Sequence, residues 1–191
     1  MASVVTQERF SKGFTYPEYI AQIAVNKDMF ERFYASAQLT PDDTAFFRRA
    51  APAGAKKMLV LGEDWCPDVY RGLPVFVRIA EAAGLELRIF PRDKHPDIMN
   101  EFLNRGEFMS IPVVVFYTGD LKYLCHWIER PASASTDRAR LEETVKKEMP
   151  GAGEQELRTA LRQRMQALQP AWQKETVREL RQLLADKLGI R

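Results

Sequence analysis

The chain has 191 residues, of which 46% are hydrophobic and 28% charged, and its formal net charge is +2. That length suffices for one domain with a substantial core plus extensions, and the composition is that of an ordinary globular protein. A charge this close to neutral gives no reason to expect a nucleic acid or an acidic membrane surface as partner.

The longest apolar run, Ile111 to Tyr117, has seven residues, far short of the roughly 20 that a membrane helix needs. The N-terminus has no basic segment followed by a long apolar stretch, so an export signal is not expected. With Cys66 and Cys125 as the only cysteines, the expected setting is a reducing cytoplasm and no structural disulfide.

Residues up to about 50 read as helices. Thr15-Tyr16-Pro17-Glu18 has the form of a capping box with proline in the first turn, and Ile20, Ile23 and Ala24 keep helical spacing. Met29, Phe30, Phe33 and Tyr34 make a second apolar stripe, and Thr40-Pro41-Asp42-Asp43 starts another helix carrying Phe46 and Phe47. The middle of the chain alternates. Lys57 to Gly62 is a short apolar strand. Pro67 to Ala83 is a helix with Val69, Leu73, Val77 and Ala80 on one face, Pro74 as a kink inside it and Gly84 closing it.

Leu85 to Pro91 alternates as a strand, and Pro96 to Leu103 reads as a short helix. Ile111 to Tyr117 is a buried strand that turns at Gly119-Asp120 into a returning strand, Leu121 to Ile128. Thr136 to Met149 is a helix. After Pro150-Gly151-Ala152-Gly153 two more helices are expected, the second opened by Pro170. This order predicts an α/β fold: a mixed four-stranded sheet with flanking helices, extended by helices at both ends.

The chemistry is concentrated in Glu63-Asp64-Trp65-Cys66-Pro67-Asp68-Val69. Cys66 falls at the carboxyl end of the first strand and the amino end of the long helix. Exposed amides and the helix dipole there favour a thiolate, and ligands bind at this edge of open α/β sheets. Glu63, Asp64 and Asp68 oppose ionisation, Arg71 offsets them, and the net expectation is a modestly depressed thiol pKa. A buried, inert cysteine is the alternative. Asp68 reads as a helix-start cap that could also relay a proton. His95 and His126 have no metal-site spacing, and no metal is expected.

Ser110-Ile111-Pro112 then opens a strand. With Trp65-Cys66 upstream, the chain resembles a thioredoxin-fold protein from about residue 57 to 149. It is similar in particular to a bacterial thioredoxin-like group with a Trp-Cys-x-Asp motif and a helical N-terminal extension. The resemblance implies a helical extension over 1–54 and a thioredoxin-like domain over 55–150; C-terminal helices over 151–191 are expected packed on the core, with self-association as the alternative. It implies that Cys66 is the nucleophile, shielded by Trp65 and facing a cis Pro112, with Pro67, Asp68 and the Ile111 backbone also at the substrate. Ile111 would take an extended peptide by β-strand addition.

Two positions depart from the family pattern. Val69 stands where the resolving cysteine is expected, and Val60 where a buried acid is expected. Exchange through a mixed disulfide then needs an external thiol, with glutathione as a possible co-substrate. The substrate would be a protein or small-molecule disulfide. The competing expectation is a redox-inactive adaptor that binds a protein partner. With the hairpin turn centred on Gly119-Asp120, Cys125 is expected opposite Val114 and Trp127 opposite Pro112. That leaves Cys125 one strand pair beyond reach of Cys66.

Overall fold

A computed structural model describes residues 3–191. Met1 and Ala2, the first residues of the expected N-terminal extension, lie outside the described residues. The sheet order is β2-β1-β3-β4. β1 (Lys57–Gly62) is parallel to β2 (Glu86–Pro91) and antiparallel to β3 (Val113–Tyr117), which pairs antiparallel with β4 (Tyr123–Ile128). β1 and β3 are buried along their whole length, which explains why they read as unbroken apolar runs rather than alternating ones.

Four short helices precede the sheet: α1 (Gln7–Ser11), α2 (Tyr16–Gln22), α3 (Lys27–Ser36) and α4 (Pro41–Ala50). The capping boxes at Thr15 and Thr40 are present, each with proline in the first turn. α1 has no counterpart in the sequence reading; its five residues are too few to show a period, and only the Thr6 cap announces it. Between α1 and α2 the backbone of Phe14 pairs with Ile89, so the extension covers the outer edge of β2. Gly13 makes this possible, since a Cβ there would come within 2.5 Å of the Phe90 ring.

The long helix α5 (Pro67–Ala83) connects β1 to β2 and runs through Pro74, with Gly84 as its left-handed C-cap. Phe76 of α5 packs edge-on against Trp127, while Phe102 meets His126. Trp127 and His126 are neighbours in β4 and point to opposite faces, so both faces of the sheet are covered. The core is continuous from Val5 through the strands to Leu184.

Three expected elements differ. The helix expected over 96–103 is only α6 (Pro96–Met99), preceded by a 3-10 turn at Arg92–Lys94. Beyond it the chain turns back, with Asn104 bridging Phe108 and Arg105 and Gly106 at positive φ.

The β3–β4 hairpin does not turn at two residues. Residues 118–122 connect the strands, Leu121 is at φ 61°, and the pairing shifts at Phe116/Tyr117. Cys125 therefore lies opposite Phe116 and Trp127 opposite Val114, two residues from where the sequence puts them.

Finally, α7 (Ala132–Glu148) is followed by one helix, not two. α8 (Glu154–Leu188) has 35 residues and passes through Pro170. An interior proline costs about 3 kcal/mol. Burial of Trp172, Val177, Leu180 and Leu184 against the core offsets that cost.

Candidate functional site

Cys66 is the N-cap of α5. Its carbonyl accepts the N–H groups of Val69 and Tyr70 at 3.0 and 3.2 Å. Its thiol points to the start of β3, where Sγ donates to the Ile111 carbonyl at 3.7 Å. The Ile111–Pro112 peptide bond is cis. Pro112 lies over Gly72 of α5, where a Cβ would come within 3.4 Å of its ring, and its carbonyl accepts the Glu129 N–H at 2.7 Å. Two segments 45 residues apart in sequence thus meet at the thiol.

Cys66 is only 8% exposed. Burial pushes its thiol up, and the Asp68 carboxylate adds to this. The N–H groups of Val69 and Asp68 and the Arg130 guanidinium pull the other way without winning. The expected depression of this pKa is therefore overturned. The helix terminus acts as anticipated, but desolvation of a nearly covered sulfur is the larger effect.

The acids expected to crowd the thiol are engaged elsewhere. Glu63 accepts the Asp93 N–H at 2.7 Å. Asp64 accepts the N–H groups of Ala24 and Val25 at 2.8 and 3.2 Å, while its own carbonyl receives Asn26 Nδ2. It ties the segment before α3 to the loop that carries Cys66. Asp68 sits between two arginines, 2.7 Å from Arg71 and 3.0 Å from Arg130, and Arg130 is shared with Glu129. Arg71 is 1% exposed, with its guanidinium on the Trp172 ring and one nitrogen at Gln169 Oε1. Nε and Nη2 of Arg71 find no partner among the described residues.

Trp65 is half exposed, with the Arg92 guanidinium 5.2 Å over its ring. Arg92 also donates to the Met109 carbonyl at 3.0 Å. Trp65, Phe108 and Met109 are among the few large apolar side chains left exposed. Val69 and Val60 are fully buried, and Val69 leans on Gly62, where a Cβ would come within 2.8 Å of it. Cys125 is buried and free, its thiol pushed up to about 11 by burial.

On its other flank, the Cys66 loop borders an open groove of about 640 Å³. Trp65, Pro67 and Tyr70 line it together with Arg138 of α7 and Arg158 and Arg162 of α8. His95 lies against the Pro91 carbonyl and His126 against the Tyr123 hydroxyl. Among the described residues no group of three or more His, Cys, Asp or Glu side chains could hold a metal ion, and no helix is long and apolar enough to cross a membrane.

All six residues singled out from the sequence (Trp65, Cys66, Pro67, Asp68, Ile111 and Pro112) lie at this one edge of the sheet. Arg130, Arg92 and the groove arginines were not anticipated. Only the Asp68–Arg71 spacing was visible in sequence, as a helical i, i+3 pair.

A mixed four-stranded sheet with a cysteine at the start of the helix that follows β1, opposite a cis-proline, defines the thioredoxin-like class. The comparisons agree. The family model described as Thioredoxin matches residues 13–141, and the chain belongs to this family. Two solved structures share the fold over 97% of this chain and 99% of theirs, each at 19% identity. One is a protein of unknown function from Pseudomonas aeruginosa, with a TM-score of 0.65. The other is an HIV epitope-scaffold, with a TM-score of 0.66. No curated protein matches the chain.

Proposed function

We propose that this protein is a single-cysteine thiol–disulfide exchange protein of the reducing cytoplasm. Among thioredoxin-like proteins it is similar to a bacterial group marked by Trp-Cys-x-Asp, here Trp65-Cys66-Pro67-Asp68. The observation that carries the reading is the Cys66 thiol held 3.7 Å from the Ile111 carbonyl, beside the cis Ile111–Pro112 bond and at the α5 N-terminus.

The Cys66 thiolate attacks one sulfur of a substrate disulfide. That S–S bond breaks, a Cys66–substrate disulfide forms, and the leaving thiolate takes up a proton. With valine at 69, a thiolate from solution attacks the mixed disulfide. It carries off one sulfur partner and regenerates Cys66. A second external thiolate then attacks the substrate–thiol disulfide so released, so that two external thiols are oxidised to a disulfide for each substrate disulfide reduced. Val60 fits the same logic, because a buried acid there would serve a resolving cysteine that this chain lacks. Asp68, fixed by Arg71 and Arg130, positions charge at the thiol.

A second reading is favoured by a specific observation: the thiol is covered and its pKa raised. On this reading the protein is a binding adaptor, and exposed Trp65, Phe108 and Met109 form its contact surface.

Incubation with oxidised glutathione separates the two. The exchange reading expects a glutathione adduct on Cys66 by mass spectrometry, released by excess thiol and absent in Cys66→Ser. Alkylation of Cys66 no faster than free cysteine, with no adduct, leaves the adaptor reading.

A further inference from the structure

We infer that the groove beside Cys66 seats the external thiol, and that this thiol is a small molecule carrying carboxylates; the inference rests on the exchange reading above. The two residues that flank the cysteine, Trp65 and Pro67, are both in the groove wall. Cys66 itself does not line the groove and its sulfur points to Ile111, so a ligand held there lies beside the loop and its thiol end must reach past Trp65 or Pro67 to meet the sulfur. At about 640 Å³ the groove falls in the size range of small-molecule sites, roughly 300 to 1,000 Å³.

Its charge names the ligand class. Arg138, Arg158 and Arg162 line it, and no carboxylate does among the described residues. Arg158 is held by Glu154 one turn away, but Arg138 and Arg162 make no ion pair among the described residues. Two guanidiniums without a direct ion pair at one cavity, even with Glu142 one turn along α7 from Arg138, are a local concentration of positive charge in a chain of net charge only +2. Guanidiniums bind carboxylates through paired N–H groups. Gln166 and Gln169 add amide groups to the lining, and the Trp65 and Tyr70 rings offer apolar area for a ligand backbone. A peptide-like thiol with two carboxylates matches this lining. The arginines also raise its local concentration, a role that matters because no internal cysteine resolves the mixed disulfide.

S-methylglutathione tests the site without reaction at Cys66. Titrated into the full chain, it should bind saturably and shift the NMR signal of the Trp65 indole N–H. Arg138→Gln/Arg162→Gln, both changes on exposed side chains, should weaken binding by roughly three- to tenfold, the scale of two exposed ion pairs. The diethyl ester, which lacks the carboxylate charges, should bind weakly to both forms. An unchanged thermal midpoint shows that the double variant is folded. No saturable binding, or binding indifferent to the ester and to the two substitutions, overturns the inference. So does charge-dependent binding of an acidic peptide without cysteine where S-methylglutathione fails, which would make the groove a protein-docking site. Because these probes form no disulfide, a groove that binds them beside an unreactive Cys66 refutes the exchange reading and not the binding site.

Discussion

Restoring a second thiol is the sharpest perturbation of this site. Val69 occupies the third position of α5 after the Cys66 cap, and its N–H bonds the Cys66 carbonyl at 3.0 Å. In a helix, side chains three apart have Cβ atoms about 5 to 6 Å apart. That is close enough for a disulfide after a small adjustment, since bridged Cβ atoms lie about 3.5 to 4.5 Å apart. Val69→Cys removes about one methyl group from a fully buried side chain against Gly62, costing about 1 kcal/mol.

The kinetic effect is much larger. Wild-type release of a Cys66 adduct is first order in external thiol. In the variant the thiol introduced at position 69 attacks internally, with an effective concentration that can reach about 10⁵ M in favourable geometry. Even a small fraction of that exceeds millimolar external thiol by at least about 10²-fold. The assay loads Cys66 with a glutathione adduct, removes free thiol and follows release by mass spectrometry. The variant should shed its adduct within the dead time and form a disulfide between Cys66 and the introduced cysteine, while the wild type holds its adduct. An adduct equally long-lived in both forms would refute the placement of Cys66 as the attacking thiol at this helix start.

The other predictions concern the charges and ties around that thiol. Asp68→Asn removes a carboxylate that adds to the upward push of burial and leaves two arginines beside the sulfur. The pH profile of Cys66 alkylation should move to lower pH, at a stability cost of about 3 kcal/mol for leaving Arg71 buried without its counter-charge. Asp64→Ala deletes two hydrogen bonds to the Ala24 and Val25 amides. It should lower the urea midpoint by the equivalent of about 1 to 3 kcal/mol, the range for two bonds to a charged but partly exposed group. Burial pushes the Cys125 thiol up to about 11 in the folded chain, above its value when unfolded. The folded state holds this proton more tightly, so the contribution is full below the unfolded pKa and lost as pH rises towards about 11. The stability difference between wild type and Cys125→Ala should therefore stay constant up to about pH 8 and shrink above it.

The strand and helix that carry Cys66 were legible because each is decided locally. Lys57 to Gly62 is an apolar run, and Pro67 to Ala83 keeps one apolar face between a proline start and a glycine stop; both ranges match the structure. The meeting of Cys66 with Ile111 and Pro112 was what the resemblance to thioredoxin-fold proteins implied, since no local pattern pairs two segments 45 residues apart. What failed was decided by tertiary packing. Pro170 reads as a helix start, yet no Ser, Thr, Asp, Asn or Gly precedes it to cap one, and the missing cap was the signal that α8 continues. The β4 register depended on a five-residue connection whose residue types suggested a two-residue turn. Arg130 reaches Asp68 from 62 positions away, a pairing that no periodicity announces. The direction of the Cys66 pKa depended on how completely the sulfur is covered, which no local pattern encodes.

The ion cluster under the thiol shows why a raised pKa and a reactive role are compatible. Asp68 and Glu129 contribute two negative charges and Arg71 and Arg130 two positive ones. The cluster is therefore balanced while Cys66 is protonated, and no net charge beneath the sulfur drives it to ionise at rest. The largest influence against ionisation is burial, not charge. Any substrate or movement that admits solvent or N–H donors to Sγ removes that influence and leaves the amides of Val69 and Asp68 and the Arg130 cation in place. Thiols of higher pKa are also intrinsically stronger nucleophiles once ionised. On the exchange reading, a covered thiol over a balanced cluster would be quiet at rest and gain reactivity on exposure. This behaviour suits a site that has no neighbouring cysteine to rescue it from unwanted adducts.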